Sequence, residues 1–268
     1  MTSIAAIILG AVEGLTEFLP ISSTAHLTIA SQLLGLAQSD FVKTFEIVIQ
    51  AGAILAIVVL YWRRFLDIEI LKRLVAAFVP TAIIGFVLYH FIKSYLVGNI
   101  AVTLWALGIG GAFLICFEMW LKNKNKSTPP VVEPTNDSAR EEVRGLSYKK
   151  SAIIGLAQAL AVIPGVSRSA ATIVSGLWLG VSREAIVEFS FLLAVPTILA
   201  ASGYDLLKSA GSLSGGGMGT LILGTIISFV TAILAIKLFL SYIKKHSFSA
   251  FGVYRIILAA IVAIIIFH

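Results

Sequence analysis

The sequence predicts an all-α polytopic membrane protein. Its expected architecture is an inverted-topology repeat, with about six spanning helices and two re-entrant helix pairs meeting near the midplane. Three observations lead there. The 268-residue chain is 58% hydrophobic and only 13% charged, with a mean hydropathy of +0.98, which leaves too little charge to cover a soluble core. Six apolar runs approach or exceed the roughly 20 residues that cross a bilayer as helix. Two further stretches, "EGLTEFLPISSTAHL" from Glu13 and "QALAVIPGVSRSAAT" from Gln158, carry acids, hydroxyls, a histidine and an arginine in otherwise apolar surroundings.

The spans are read at residues 45–62, 74–92, 100–121, 185–204, 219–240 and 250–267. They are helices because backbone in lipid must satisfy its own polar groups. Continuous runs such as "IILAAIVAIIIF" lack the alternation of a membrane β-barrel. The N-terminus has no basic segment before its apolar stretch and carries Glu13 and Glu17, so it is not read as a signal peptide. The single cysteine, Cys116, excludes an internal disulfide framework and a cysteine-based zinc site.

Residues 4–35 form the first re-entrant pair. Segments 4–19 and 22–35 are each too short and too polar to cross comfortably. Spans 45–62, 74–92 and 100–121 complete a first repeat over residues 1–121. Residues 122–150 mix both charge signs with three prolines and read as a solvated, partly disordered loop. Residues 151–182 form the second re-entrant pair, and spans 185–204, 219–240 and 250–267 complete the second repeat over 151–268. A shift of 145 brings Gly10 onto Gly155, Glu13 onto Gln158 and Ser22 onto Ser167. A shift of 144 brings "FEIVIQAGAIL" onto "FSFLLAVPTIL" and Pro80 onto Gly224. The near-constant offset argues for duplication. Three spans per half then give the two halves opposite orientation.

Charge orients the chain. Residues 63–73, 122–150, Arg183 and 241–249 together hold fourteen Lys and Arg, against Lys43, Lys93 and Lys208 on the other face. The first face is therefore cytoplasmic. The net charge of +6 collects at helix ends and does not signal nucleic acid. The turn "FLPISST" enters from outside and "IPGVSRS" from the cytoplasm, with Pro20, Pro164 and Gly165 as helix breakers. Each turn is followed by a helix whose free N–H groups point back at the tip, which suits an anion.

Glu13 and Glu17 are four residues apart on one face of the first half-helix. Ser23 and His26 are three apart on the second, and the intervening tip is expected to bring all four together, opposite Arg168 with its flanking Ser167 and Ser169. Ionisable groups at this depth are functional candidates by default. The bland alternative is an acid pair neutralised by Arg168, with Ser22, Ser23 and Thr24 capping a helix. An arginine and helix N-termini suit phosphate, and a hydroxyl beside a histidine is a candidate nucleophile with a base. Paired carboxylates suit Mg²⁺ or Ca²⁺. Together they suit phosphoryl transfer on a lipid phosphate or diphosphate. Glu46, in a stretch too polar to face lipid, is a further cavity candidate. Glu188 could pair with Arg183, and Arg255 inside the last span needs a partner or must snorkel. His90, His246 and His268 are read as interfacial or terminal.

These motifs resemble those of the bacterial undecaprenyl-diphosphate phosphatases of the bacitracin-resistance type, almost from end to end. "EGLTEFLPISSTAHL" is similar to the first family motif and "PGVSRSAAT" to the second; "KTFEIVIQAG" and "EFSFLLAVPT" are also similar to family segments. Ala170 departs from the glycine common after the S-R-S run, removing no reactive group. The resemblance implies hydrolysis of the C55 polyprenyl diphosphate to the monophosphate carrier of peptidoglycan synthesis. It implies bacitracin resistance, since bacitracin acts on the shared substrate. The expected site has Ser23 as nucleophile and His26, Glu13, Glu17 and Arg168 as essential partners. Ser22, Thr24, Ser167, Ser169 and Gly165 are expected around the phosphate, and a divalent cation, Mg²⁺ or Ca²⁺, on Glu13 and Glu17. The expected setting is the bacterial cell (inner) membrane, with the active site opening to the periplasmic face and a homo-oligomer as a possible assembly. Motifs of the other phosphatase class acting on such lipids, K-x6-R-P, P-S-G-H and S-R-x5-H-x3-D, are absent. The alternative is a polyprenyl-phosphate transporter or flippase, because an inverted repeat suits transport as well as catalysis.

The charge count yields a topological prediction, with both termini and residues 93–99 outside and residues 122–150 inside. In a Cys116→Ala background, a Ser138→Cys chain in intact cells should resist a membrane-impermeant thiol reagent and react once the membrane is opened. Labelling from outside would reverse the assignment.

Overall fold

A computed structural model describes residues 1–37, 39–96, 98–125, 136–208 and 217–267. Among these, eleven α-helices and no strands are present. They are α1 (Ser3–Thr16), α2 (Ser23–Leu33), α3 (Asp40–Tyr61), α4 (Ile68–Phe91), α5 (Ile100–Asn125), α6 (Asn136–Arg144), α7 (Tyr148–Gln158), α8 (Arg168–Trp178), α9 (Arg183–Lys208), α10 (Met218–Ile243) and α11 (Ser249–Phe267). His268 and residues 126–135 of the long loop, with its prolines, lie outside the described residues, as do the side chains of His90, Lys93 and Lys208.

Six helices, α3, α4, α5, α9, α10 and α11, are long and apolar enough to cross a membrane, making this a multi-pass membrane protein. Several begin before the apolar runs read from sequence, because their first turns are polar. Ser39 caps α3 by accepting from Val42 N at 3.3 Å. Asp67 caps α4 by accepting from Glu69 N at 3.1 Å. Helices α2, α7 and α8 have 11 residues each and α1 has 14, all too short to span.

The short helices pack against the opposite half of the chain. Helix α1 lies on α10 and α7 lies on α4. Glycines permit the approach, as is common where backbones meet in membranes. A Cβ at Gly10 would land on the carbonyl of Gly224, and one at Gly155 on the carbonyl of Ala77. Helix α9 forms the centre, with Phe189, Phe191, Leu192, Leu193 and Ala194 completely buried. Phe18 from the first turn meets Phe191 edge-to-face at 5.4 Å.

Two expectations are corrected. Glu188 pairs with Arg64 at 2.6 Å, and Arg183 binds Glu118 through both guanidinium ends at 2.6 Å. Five residues apart on one helix, Arg183 and Glu188 sit well around its circumference rather than on one face. Among its described residues the loop also holds a helix that packs on the body of the protein. Helix α6 places Ala139 and Val143, one turn apart, in the core beside Leu146, and Arg140 reaches Asp67 at 3.3 Å.

The tight crossing of α7 on α4 is testable. Gly155→Ala forces a methyl against backbone that cannot rotate away, and should destabilise the protein by about 1–3 kcal/mol. Gly85→Ala, with open space around it, should be neutral or slightly stabilising. Thermal unfolding in detergent compares them; equal melting temperatures would show that α7 does not need this contact.

Candidate active site

The two polar turns meet in the interior. Residues 17–22 connect α1 to α2, and residues 159–167 connect α7 to α8. Ser22 adopts φ 71°, a left-handed conformation rarely taken by serine and frequent at functional turns. Ser22 is the N-cap residue of α2 but makes no side-chain capping bond, contrary to the capping alternative. Gly165 adopts φ +95°, and a Cβ there would strike the carbonyl of Thr103. Ser167 does cap α8, accepting from Ala170 N at 3.2 Å. Its hydroxyl also reaches Leu19 O at 3.4 Å, so the second turn touches the first.

A cavity of about 260 Å³ lies where they meet, lined by Glu17, Ser22, Ser23, Thr24, Gln50, Thr81, Gln158, Ser167, Arg168 and Thr197 among others. Both α2 and α8 begin at this cavity. A larger cavity of about 590 Å³ lies on the other side of α7 and α8 and is walled by Phe113, Phe117, Trp120, Val174 and Trp178. Its lining has almost no polar groups beyond Arg255 and Ser175, so the smaller one is the candidate site.

One hydrogen-bonded chain crosses the smaller cavity. Ser23 Oγ donates to Glu17 Oε2. Arg168 Nη2 donates to Glu17 Oε1 at 3.3 Å, and Nη1 donates to Ser190 O at 2.8 Å. Glu13 is fully buried and stands within electrostatic reach of Glu17, Glu46 and Arg168. Neither of its oxygens has a hydrogen-bond partner. Six buried side-chain atoms among the described residues lack a partner, and four of them belong to Glu13, Gln158 and Arg168. Buried polar atoms of this kind are places for a ligand, an ion or a water to bind. Arg168 Nε is a donor suited to an anion, and the Glu13 carboxylate is suited to a cation. No cluster of three or more His, Cys, Asp or Glu side chains is present among the described residues. A cation here would therefore need oxygens from the substrate as well as from Glu13 and Glu17.

His26 departs from the expected convergence. Its Nδ1 is 2.7 Å from Ser22 O and its Nε2 is 2.7 Å from Tyr254 Oη. A carbonyl only accepts, so Nδ1 carries a proton, and the neutral ring then accepts from the tyrosine at Nε2. Neither nitrogen is left for Ser23; Glu17 takes that place. Ser169 is buried behind the cavity, bonded to Ser167 Oγ at 3.1 Å. Gly165 contributes its backbone, accepting from Arg255 Nη2 at 3.0 Å. Glu46 accepts from Ser31 Oγ at 2.8 Å, and Gln50 rather than Glu46 lines the cavity.

Arg255 does not snorkel. It is 1% exposed and donates to four carbonyls: Leu107, Pro20, Ala106 and Gly165. Two of these, Pro20 and Gly165, belong to the two turns. Its need for a partner is visible in sequence, but carbonyl acceptors carry no sequence signal. Gln158, Thr81 and Thr197 were not read as site residues either, although Gln158 occupies the repeat position of Glu13.

Comparison with known proteins gives the family. The family model described as "Bacitracin resistance protein BacA" matches residues 6–261. The chain is 47% identical to the undecaprenyl-diphosphatase of Aquifex aeolicus, covering 98% of both chains. It is 44% identical to that of Bdellovibrio bacteriovorus, over 100% of this chain and 97% of the relative. It is also 44% identical to that of Thermus thermophilus, over 96% and 95%. The chain belongs to the BacA family of bacitracin resistance proteins.

Proposed function

We propose that this protein is an undecaprenyl-diphosphatase whose nucleophile is Ser23 and whose base is Glu17. The observation that carries the assignment is the Ser23–Glu17–Arg168 chain: a hydroxyl donating to a carboxylate that is itself held by a guanidinium. The terminal phosphate of the diphosphate binds between the N-termini of α2 and α8. Arg168 turns its unpartnered Nε–H toward it, a planar donor matched to phosphate oxygens. Ser23 Oγ attacks the terminal phosphorus while Glu17 takes its proton. The bridging P–O bond breaks and the polyprenyl monophosphate leaves. Water then attacks the phosphoserine and the P–Oγ bond breaks. Ser23 recovers a proton from Glu17, one water proton remains on the released phosphate, and the other passes through Glu17 to solvent. His26, tied to Ser22 O and Tyr254, holds the strained start of α2 in place.

Glu13 and Glu17 would hold a divalent cation, Mg²⁺ or Ca²⁺, which when bound neutralises charge on the diphosphate. The unpartnered buried carboxylate of Glu13 supports this assignment.

We infer further that the halves are inverted repeats, that the chain lies in the bacterial inner membrane and that the cavity opens to the periplasm. The crossed packing supports the repeat: Gly10 lies on Gly224 and Gly155 lies on Ala77, with Gly10 matching Gly155 and Gly224 matching Pro80, three residues beyond Ala77, at offsets of 145 and 144. The basic residues gathered on one face support the orientation. Hydrolysing this diphosphate returns the lipid carrier to peptidoglycan synthesis and removes the target of bacitracin.

The test is phosphate release from farnesyl diphosphate by purified protein in detergent, where there is no membrane to cross. Wild type should release phosphate, and Ser23→Ala should lose nearly all turnover while melting within a few degrees of wild type. Ser22→Ala and Thr24→Ala, which leave the Ser23–Glu17 contact intact, should be milder. Equal losses in all three, or an active Ser23→Ala, would move the nucleophile to water.

A further inference from the structure

We propose that Gln158 is the residue that positions the attacking water, through an amide oxygen that the surrounding threonines leave free by the polarity of their hydrogen bonds. Thr81 Oγ1 donates to Gly155 O at 2.7 Å, and Thr197 Oγ1 donates to Leu193 O at 2.8 Å. A hydroxyl has one hydrogen. With both spent on carbonyls, the two threonine oxygens can only accept. The Gln158 amide therefore presents its NH₂ to both, at 3.0 Å and 3.1 Å. This settles which way the amide points, an orientation otherwise left to assignment. Both amide hydrogens are used, and Oε1 has no donor.

Gln158 is 1% exposed and lines the cavity shared by Ser23, Glu17 and Arg168. A buried acceptor with no donor is costly, and the arrangement holds it in one orientation with three helices. The occupant that satisfies it is a hydrogen donor or a cation, and a cation has the carboxylates of Glu13 and Glu17 to hold it. The oxygens of an ionised diphosphate accept and cannot serve. Water can donate one hydrogen to Gln158 and keep a lone pair for phosphorus. Glu13, at the repeat position of Gln158, is a carboxylate. A neutral amide in the second half gives an acceptor without a further negative charge beside the phosphate. The two halves thus contribute different parts, with the nucleophilic serine and its base from the first and the water site from the second.

This inference rests on the phosphatase reading and deepens it. The experiment uses the full chain in detergent with farnesyl diphosphate and added methanol, and measures both inorganic phosphate and methyl phosphate. A held water should make wild type favour phosphate strongly over methyl phosphate. In Gln158→Leu, KM should change little and kcat should fall on the order of 100-fold, the size of a misplaced reactant. The methyl phosphate share should rise several-fold. Thr197→Val, which frees the amide to turn, should move the product ratio the same way by less, and it serves if Gln158→Leu does not fold. An unchanged product ratio in both variants overturns the proposal, whatever happens to kcat, because a purely structural tie or a cation ligand would not alter the choice between water and methanol. Wild type that releases no phosphate at all would instead sink the phosphatase reading, and this inference with it.

Discussion

A charged carboxylate is costly inside a membrane protein, and Glu17 is held by two partners from different halves of the chain. Ser23 donates from the start of α2 and Arg168 from the start of α8. Burying a charge is expensive, and breaking a buried pair by removing one partner commonly costs 3–5 kcal/mol. The two hairpins therefore depend on each other electrostatically. Neither could place its charge at this depth alone. Packing follows the same logic, since α1 rests on α10 and α7 on α4, so that each half supports the hairpin of the other.

Arg255 provides a second tie of a different kind. Among the described residues it has no carboxylate partner, and it spreads its donors over four backbone carbonyls, two of them in the hairpin turns. Turns are irregular backbone, and irregular backbone at membrane depth needs partners for its free carbonyls. One guanidinium meets that need for both turns at once. Tyr254, the preceding residue, binds His26. Helix α11 thereby ties both the strained start of α2 and the relative position of the two turns.

Much of this was legible in the sequence. The six spans, the two interruptions between short helices and the nearness of the acids to Arg168 follow from hydropathy, helix breakers and the scarcity of intramembrane charge. What escaped had specific physical causes. His26 was read as a potential base because it shares a helical face with Ser23, but its Nδ1 lies at the carbonyl of Ser22, whose backbone is left-handed, and its Nε2 lies at Tyr254. Arg183 and Glu188 are near in sequence but not on one helix face, so each found a partner on another helix. Helix α6 was hidden because only Ala139 and Val143 mark its buried side among charged neighbours. Gln158 was matched to Glu13 but given no role, because its orientation depends on which hydrogens Thr81 and Thr197 have already used, a property of three helices together.

The central claim is that Glu17 removes the proton of Ser23, and Glu17→Gln tests it most directly. Glutamine keeps the size of the side chain but cannot take up a proton. Phosphate release from farnesyl diphosphate should fall on the order of 1,000-fold, within the range for losing a general base, while thermal unfolding in detergent keeps one cooperative transition, lowered because Arg168 loses its charged partner. Turnover near that of wild type would contradict the account and return the base to His26 or to a second carboxylate.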